Sequence, residues 1–350
     1  MIYLSAAVVL VLGALALATG FAAGGEYINV LNWGEYIDVE LIDEFEEETG
    51  IKVNYTTAPT CEEMYAKIKS GGVAYDIIVP SDYMLSRMIE EDMLEKLDFT
   101  NIPNFDYVDS DFVNPAYDPT GEYSVPYQWG TVGIIYNKDM VDEADLGSWD
   151  ILWNKKYKDQ ILMFDNSRDA LGIALKRLGE SYNCTDASKI REAADMLIEQ
   201  KPLVQAYVMD QIFDKMENGE AAIAPYYTGD YYLMLDEIDT DETHLGYYTP
   251  SEGSNLYTDA MCIPKGTQNK SGAEAFINFL LEPENMAKNT EFIHYSAPEK
   301  AARELLSDDK KNNTDMYPDS DTLKTFETFT NLPKDIRELY DDLWVEIMSA

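Results

Sequence analysis

The stretch Val30-Leu31-Asn32-Trp33-Gly34-Glu35-Tyr36-Ile37-Asp38 decides how the rest of the chain is read. An apolar run over 27–31 has the length and composition of a short buried strand. It breaks at Trp33-Gly34, and a helical pattern starts at Val39. Trp33, Glu35 and Tyr36 are thereby predicted on a loop at the carboxyl end of a strand, where open α/β sheets hold their ligands. Two aromatic rings and a carboxylate on one short loop suit a ligand that is cationic and partly apolar.

Downstream, 39–49 reads as an amphipathic helix, with Leu41, Ile42 and Phe45 inward, Glu44, Glu46, Glu47 and Glu48 outward, and Gly50 as its stop. A strand over 51–55 follows, then a helix over 60–69 closed by Gly71-Gly72. A strand over 75–81 delivers Ser81, Asp82 and Tyr83 to its end, and 85–97 is helical. This β-α-β-α-β rhythm predicts a mostly parallel sheet. Residues 98–123 are rich in Pro, Asn and Asp and read as irregular surface. The segment 124–131, leading into an apolar strand over 132–136, reads as a first crossing between two lobes.

In the second half a strand over 161–164 ends in Asp165-Asn166-Ser167-Arg168-Asp169, where Asp165 or Ser167 is placed to cap a helix over 170–178. Helices are expected over 187–200 and 211–218. A buried strand over 221–224 runs into Pro225-Tyr226-Tyr227-Thr228-Gly229-Asp230-Tyr231-Tyr232, a second dense aromatic stretch. The chain returns through 246–248 and 255–263, and Tyr257 and Asp259, two apart, share one face of a strand. A helix over 273–281 and a loop over 291–298 presenting Tyr295 come next. The remainder is helical, with a break at Tyr317-Pro318.

At 350 residues the chain suits two lobes better than one core. Its 65 acidic against 26 basic residues, net −39, argue against nucleic acid or an anionic membrane surface as partner. The same field favours the approach of cations, and salt weakens it. Cys61, Cys184 and Cys262 form no CxxC and no metal spacing, and read as buried free thiols. The two histidines, His244 and His294, announce no zinc site. No HExxH, GxSxG, Walker-type loop or GxGxxG occurs, so no enzyme and no cofactor is expected. Residues 1–25 are an apolar leader with a small-residue end. No Lys or Arg precedes the run and no Cys follows it to carry a lipid. It reads as a signal peptide or membrane anchor, or the last span of an upstream membrane segment, and puts the rest outside the cytoplasm.

Aromatic rings with carboxylates recur at strand ends: Trp33, Glu35 and Tyr36; Tyr83; Asp169; Tyr227 and Asp230; Tyr257 and Asp259; Tyr295. An ammonium gains about 0.5–2 kcal/mol over an aromatic face, and a carboxylate adds a charge-assisted hydrogen bond. Methylenes between two amines bury apolar area at about 25 cal/mol per Å². A di- or polyamine therefore calls for an aromatic box along its length and an acid at each end. The competing reading makes each tyrosine a core residue with a satisfied hydroxyl, among 25 in the chain.

From about residue 27 to the end the sequence resembles the periplasmic spermidine/putrescine-binding proteins of ABC transporters. The resemblance is carried by LNWGEYID at 31–38, FEEETGIKV at 45–53, MYAKIKSGGVAYDIIVPSDY at 64–83 and YSVPYQWGTVGIIYN at 123–137. It continues through SWDILWNKKYK at 148–158, MDQIFDKMENGEAAIA at 209–224, INFLLEPENMAK at 277–288 and YSAPEKAARELL at 295–306. It implies an α/β periplasmic-binding-protein fold of two lobes with a ligand cleft between them and crossing strands as hinge. Lobe 1 would be 26–131 plus 260–305, and lobe 2 would be 132–259 plus 306–350.

The aromatic walls implied are Trp33, Tyr36, Tyr83, Tyr227, Tyr257 and Tyr295. The acids are Glu35, Asp169 and Asp259, and Ser81 lines the site. Tyr227 stands where relatives commonly carry Trp, Tyr257 where they carry Trp or Phe, and Asp169 replaces a longer Glu. Asn166 is neutral where some spermidine binders hold an acid. Asp230 falls where putrescine-preferring members carry Asp. A further polar contact of the family, near Glu327, does not align. The implied function is binding without chemistry: a monomeric receptor that captures putrescine or spermidine by lobe closure and hands it to a membrane permease. Rival readings are a ferric-iron receptor using Tyr226-Tyr227, a sugar receptor, a polyamine sensor domain and a hydrolase pairing Asp165 with Asp169.

Overall fold

The computed structural model describes residues 26–238 and 244–350; the leader expected at 1–25 lies outside them. β1 (Tyr27–Asn32) leads through the Trp33 loop to α1 (Val39–Thr49), which starts where the Asp38 carboxylate accepts from the Glu40 amide at 3.0 Å and stops at Gly50, φ 74°. Leu41 and Phe45 are buried, while Ile42 is only half-buried at the edge of that stripe. β2 (Lys52–Thr57) and α2 (Cys61–Ser70) follow, the helix capped by Thr60 Oγ1 accepting from the Glu63 amide at 3.1 Å. Next come β3 (Ile77–Ile78) and α3 (Asp82–Glu90). The helix expected to reach residue 97 ends early, because the chain turns at Glu91-Asp92, with Asp92 at φ 55°, so that Leu94 can bridge to Pro264.

Short 3₁₀ turns fill 99–112, and then β4 (Ser124–Asn137) runs for 14 residues. After β5 (Ile161–Phe164) come α4 (Ser167–Arg177), α5 (Ala187–Gln200), β6 (Val204–Val208), α6 (Ile212–Glu217), β7 (Ile223–Tyr227) and α7 (Thr228–Glu237). β8 (Leu245–Tyr248), β9 (Leu256–Cys262), α8 (Lys270–Leu280), α9 (Pro283–Ile293) and α10 (Lys300–Leu305) come next. Two single turns, α11 (Asp308–Lys311) and α12 (Ser320–Leu323), lead to α13 (Lys334–Ser349), which packs on α4 and α5.

The strands run β2-β1-β3-β9-β4-β7-β5-β6, with β8 also on β4. Parallel pairing holds at the two flanks, β2-β1-β3 and β7-β5-β6, but every ladder of β4 and β9 is antiparallel. The mostly parallel expectation is thus corrected to a mixed sheet: two long strands return through its centre without a helical crossover. β4 is shared. Ser124 to Thr131 pair with β9, whereas Val132 to Asn137 pair with β7 and β8. The partner change falls between Thr131 and Val132. β9 pairs on the first side along its whole length.

Two further expectations change. Neither Asp165 nor Ser167 caps α4: Asn166 does, its Oδ1 accepting from the Asp169 amide at 2.8 Å. All three cysteines are free, but Cys184 is only half-buried.

Candidate ligand cleft

The ends of β1, β3, β5, β6 and β7, strand β9 and the end of α9 converge on a cavity of about 630 Å³ between the lobes. On the β1–α1 loop, Glu35 has φ 45°, a left-handed conformation costing a side-chain-bearing residue about 1–2 kcal/mol. That twist lets Tyr36 turn inward, where it is 3% exposed. Its hydroxyl donates to Asp259 Oδ2 at 2.6 Å.

Ser81 precedes α3 but does not cap it; its hydroxyl donates instead to Asp259 Oδ1 at 2.5 Å. Both oxygens of Asp259 are therefore oriented by hydroxyls, from the β1–α1 loop and from the turn before α3. β9 alternation brings Tyr257 onto the same face, and its ring fits because residue 130 opposite is glycine: a Cβ there would stand 2.6 Å from the Tyr257 hydroxyl oxygen. Tyr83, in α3, donates to Glu62 Oε1 at 3.1 Å and meets Phe329 edge-on at 5.8 Å.

The other wall is built from β5, β6 and β7. Asn166 holds Asp169 twice, capping its amide and donating Nδ2 to Oδ2 at 2.7 Å, and the Tyr227 hydroxyl donates to the same oxygen at 3.3 Å. Tyr226 stacks on Phe164 at 5.3 Å, and Tyr227 meets Tyr257 edge-on at 5.3 Å across the cleft. Asp230 lies in the first turn of α7, a helix that the aromatic stretch concealed. α9 ends at His294, φ 60°, and releases Tyr295 into the cavity, its ring 4.6 Å from that of Tyr36.

Tyr295 lies so close over Gly229 that a Cβ there would come within 2.2 Å of its ring. Gly229→Ala is expected to displace Tyr295 and cost about 1–3 kcal/mol of stability, outweighing the helix preference for alanine of about 1 kcal/mol. Thermal unfolding of the variant measures this, and an unchanged midpoint would show that the ring is free to move.

All of the residues singled out in the sequence line this cavity: Trp33, Glu35, Tyr36, Ser81, Tyr83, Asp169, Tyr227, Asp230, Tyr257, Asp259 and Tyr295. Sequence reasoning missed Glu62, Asp210, Asn255 and Phe329, which line it too. Asp210 had one available signal, the Val204–Val208 strand just before it. Glu327 does not line it; its carboxylate is taken by Lys176 and Ser181.

Among the described residues no Lys, Arg or His lines the cavity. Burial pushes Asp169 up to about 6, with the Asn166 amide and Tyr227 hydroxyl pulling it part-way back. It pushes Asp259 to about 6 against the Ser81 and Tyr36 hydroxyls. Asp230 rises to about 8: burial dominates, the Tyr295 hydroxyl opposes it, and the charges of Asp210 and Glu35 add to it. Burial also holds the phenols of Tyr36, Tyr226, Tyr227, Tyr257 and Tyr295 well above their ordinary value, so they remain hydrogen-bond donors. Trp33 Nε1, Asn255 Oδ1 and the Tyr257 hydroxyl are buried at this surface without a hydrogen-bond partner. Buried orphan groups of this kind mark a place for polar partners from outside the chain.

The model of the family described as bacterial extracellular solute-binding protein matches residues 40–330. A spermidine/putrescine-binding periplasmic protein of Escherichia coli is 38% identical, over 90% of this chain and 90% of the relative. Among solved structures, one described as a spermidine/putrescine ABC transporter from Listeria monocytogenes is 41% identical with a TM-score of 0.88, covering 92% of this chain and 99% of that one. A spermidine/putrescine ABC transporter substrate-binding protein from Streptococcus pneumoniae is 40% identical with a TM-score of 0.78, covering 93% and 99%.

Proposed function

We propose, on the premise that this chain belongs to the bacterial extracellular solute-binding protein family, that it is the extracytoplasmic receptor of an ABC importer and captures a polyamine. The observation that carries this reading is the cavity itself. Three buried acids, Asp169, Asp230 and Asp259, face it among aromatic rings, and among the described residues no basic side chain lines it. A neutral sugar would leave those carboxylates desolvated and uncompensated, whereas a chain of ammoniums and methylenes matches both the charges and the rings.

The lobes we propose are divided at 131/132, where β4 changes partners, and again where the chain enters β9; 306–350 joins the second lobe. Closing them over the ligand strips water from its amines and gives a membrane permease one shape to recognise. The receptor acts as a monomer and performs no chemistry. Among the described residues no helix is long and apolar enough to cross a membrane.

Isothermal titration of residues 26–350 with putrescine and spermidine, after unfolding and refolding to strip carried-over ligand, tests the reading. Micromolar or tighter binding to either supports it. No heat from a folded sample with either amine rejects it.

A further inference from the structure

The cavity has a second acidic pole, at its mouth. Asp210 follows β6 in the turn that opens α6, with its surface open to water. Its Oδ2 lies 3.3 Å from where a Cβ on Gly34 would stand. A carboxylate of the second lobe thus lies close over Gly34, in the Trp33-Gly34-Glu35 loop of the first. It lines the cavity together with Glu35 and Asp230, and both it and Glu35 are near enough to Asp230 to oppose its ionisation. No ion pair reaches any of these three acids among the described residues.

A separate observation points to a ligand at this pole. The Tyr257 hydroxyl, on a side chain 5% exposed, lines the cavity without a partner in the chain, and the charges of Asp259 and Asp230 both act on it. The inner acids, Asp169 and Asp259, already take hydroxyl or amide hydrogens, whereas among the described residues no side-chain donor reaches the exposed carboxylates of Glu35 and Asp210.

A diamine brings two ammoniums, and the inner acids suffice for them. Resting on the polyamine reading above, we propose that Asp210 is a specificity-determining residue: with Asp230 it receives a third ammonium, so that the cleft takes a triamine in preference to a diamine. Because Asp210 and Gly34 belong to opposite lobes, this contact is completed only when the lobes are shut. The longer ligand therefore gains most from closure. A mouth acid in contact with water contributes less than a buried one, which sets the size of the effect.

Calorimetry of the parent, Asp210→Asn and Asp210→Glu with spermidine and putrescine tests this. Asp210→Asn is expected to weaken spermidine binding about five- to ten-fold while putrescine changes less than about two-fold. Asp210→Glu, which keeps the charge, should retain most of the spermidine affinity. Equal weakening of both ligands by Asp210→Asn, or no change in either, overturns the proposal. A parent protein that binds neither amine would instead reject the polyamine reading on which it rests.

Discussion

Asp259→Asn is expected to cost about 2–5 kcal/mol of polyamine binding, roughly thirty- to several-thousand-fold in Kd, while the free protein stays at least as stable as the parent. Asp259 is 5% exposed, and its two oxygens are oriented by Tyr36 at 2.6 Å and Ser81 at 2.5 Å. A carboxylate held from both sides cannot swing away from an arriving ammonium, so its charge is presented without reorganisation. Asparagine keeps one acceptor for one hydroxyl, and the other hydroxyl can rotate to accept from the new NH₂. The free protein therefore loses little. It also sheds a buried charge whose desolvation already pushes the carboxyl up to about 6. The bound state loses the one partner that compensates a desolvated ammonium. Calorimetry gives the affinity, and thermal unfolding without ligand gives the stability. Unchanged affinity would remove Asp259 from the site; equal losses in both measurements would make it a structural residue instead.

The parts of this site that the sequence made legible are those set by local rules. Strand ends near Asn32 and Phe164 follow from apolar runs broken by turn residues, and the two-residue period puts Tyr257 beside Asp259, whereas β7 runs three residues beyond the 221–224 expected, through Pro225 to Tyr227. What was hidden depends on contacts distant in the chain. Ser81 and Tyr36 reach Asp259 across 178 and 223 residues, and nothing local in Pro80-Ser81-Asp82 says that Ser81 abandons its helix cap for that bond. β6 was passed over because Val204–Val208 is mostly half-exposed and lacks a clean alternation, and Asp210 was lost with it. At α4 three neighbouring residues could all cap. Asn166 wins because one side chain can both accept from the Asp169 amide and donate to its carboxylate. The antiparallel centre of the sheet escaped a reading of its first β-α-β-α-β segment, since a strand's direction is fixed by where the chain returns.

The second large effect is on pH dependence, and it runs in opposite directions for the free and the liganded protein. In the free protein Asp230 is raised to about 8, and Asp169 and Asp259 to about 6, against about 3.9 for an unfolded aspartate. A raised carboxyl contributes stability that is fully present below its unfolded value and is lost as pH rises through its folded value. These three groups therefore make the free protein less stable at about pH 8 than at about pH 5. Acids that are lowered, such as Glu91, which the Tyr65 hydroxyl and Arg87 hold at about 2 against the opposing effect of burial, add their opposite slope only below this window.

Ammoniums in the cavity reverse the preference, because they favour the ionised carboxyls. At about pH 7 binding should release close to one proton, mostly from Asp230, which calorimetry in buffers of different ionisation enthalpy reads directly. Each acid that must ionise weakens binding about ten-fold for every pH unit below its free value, so affinity should fall about a hundred-fold or more between about pH 7 and pH 5. The ligand-induced rise in Tm should shrink over the same range even as the free protein's own Tm climbs. Asp259→Asn should reduce the part of this dependence that lies below about pH 6, leaving there the share due to Asp169, and leave the part due to Asp230 in place. Affinity that does not vary with pH in the parent would mean that these carboxyls do not meet the ligand's charges. A slope unchanged by Asp259→Asn would assign the titration to other acids of the cleft.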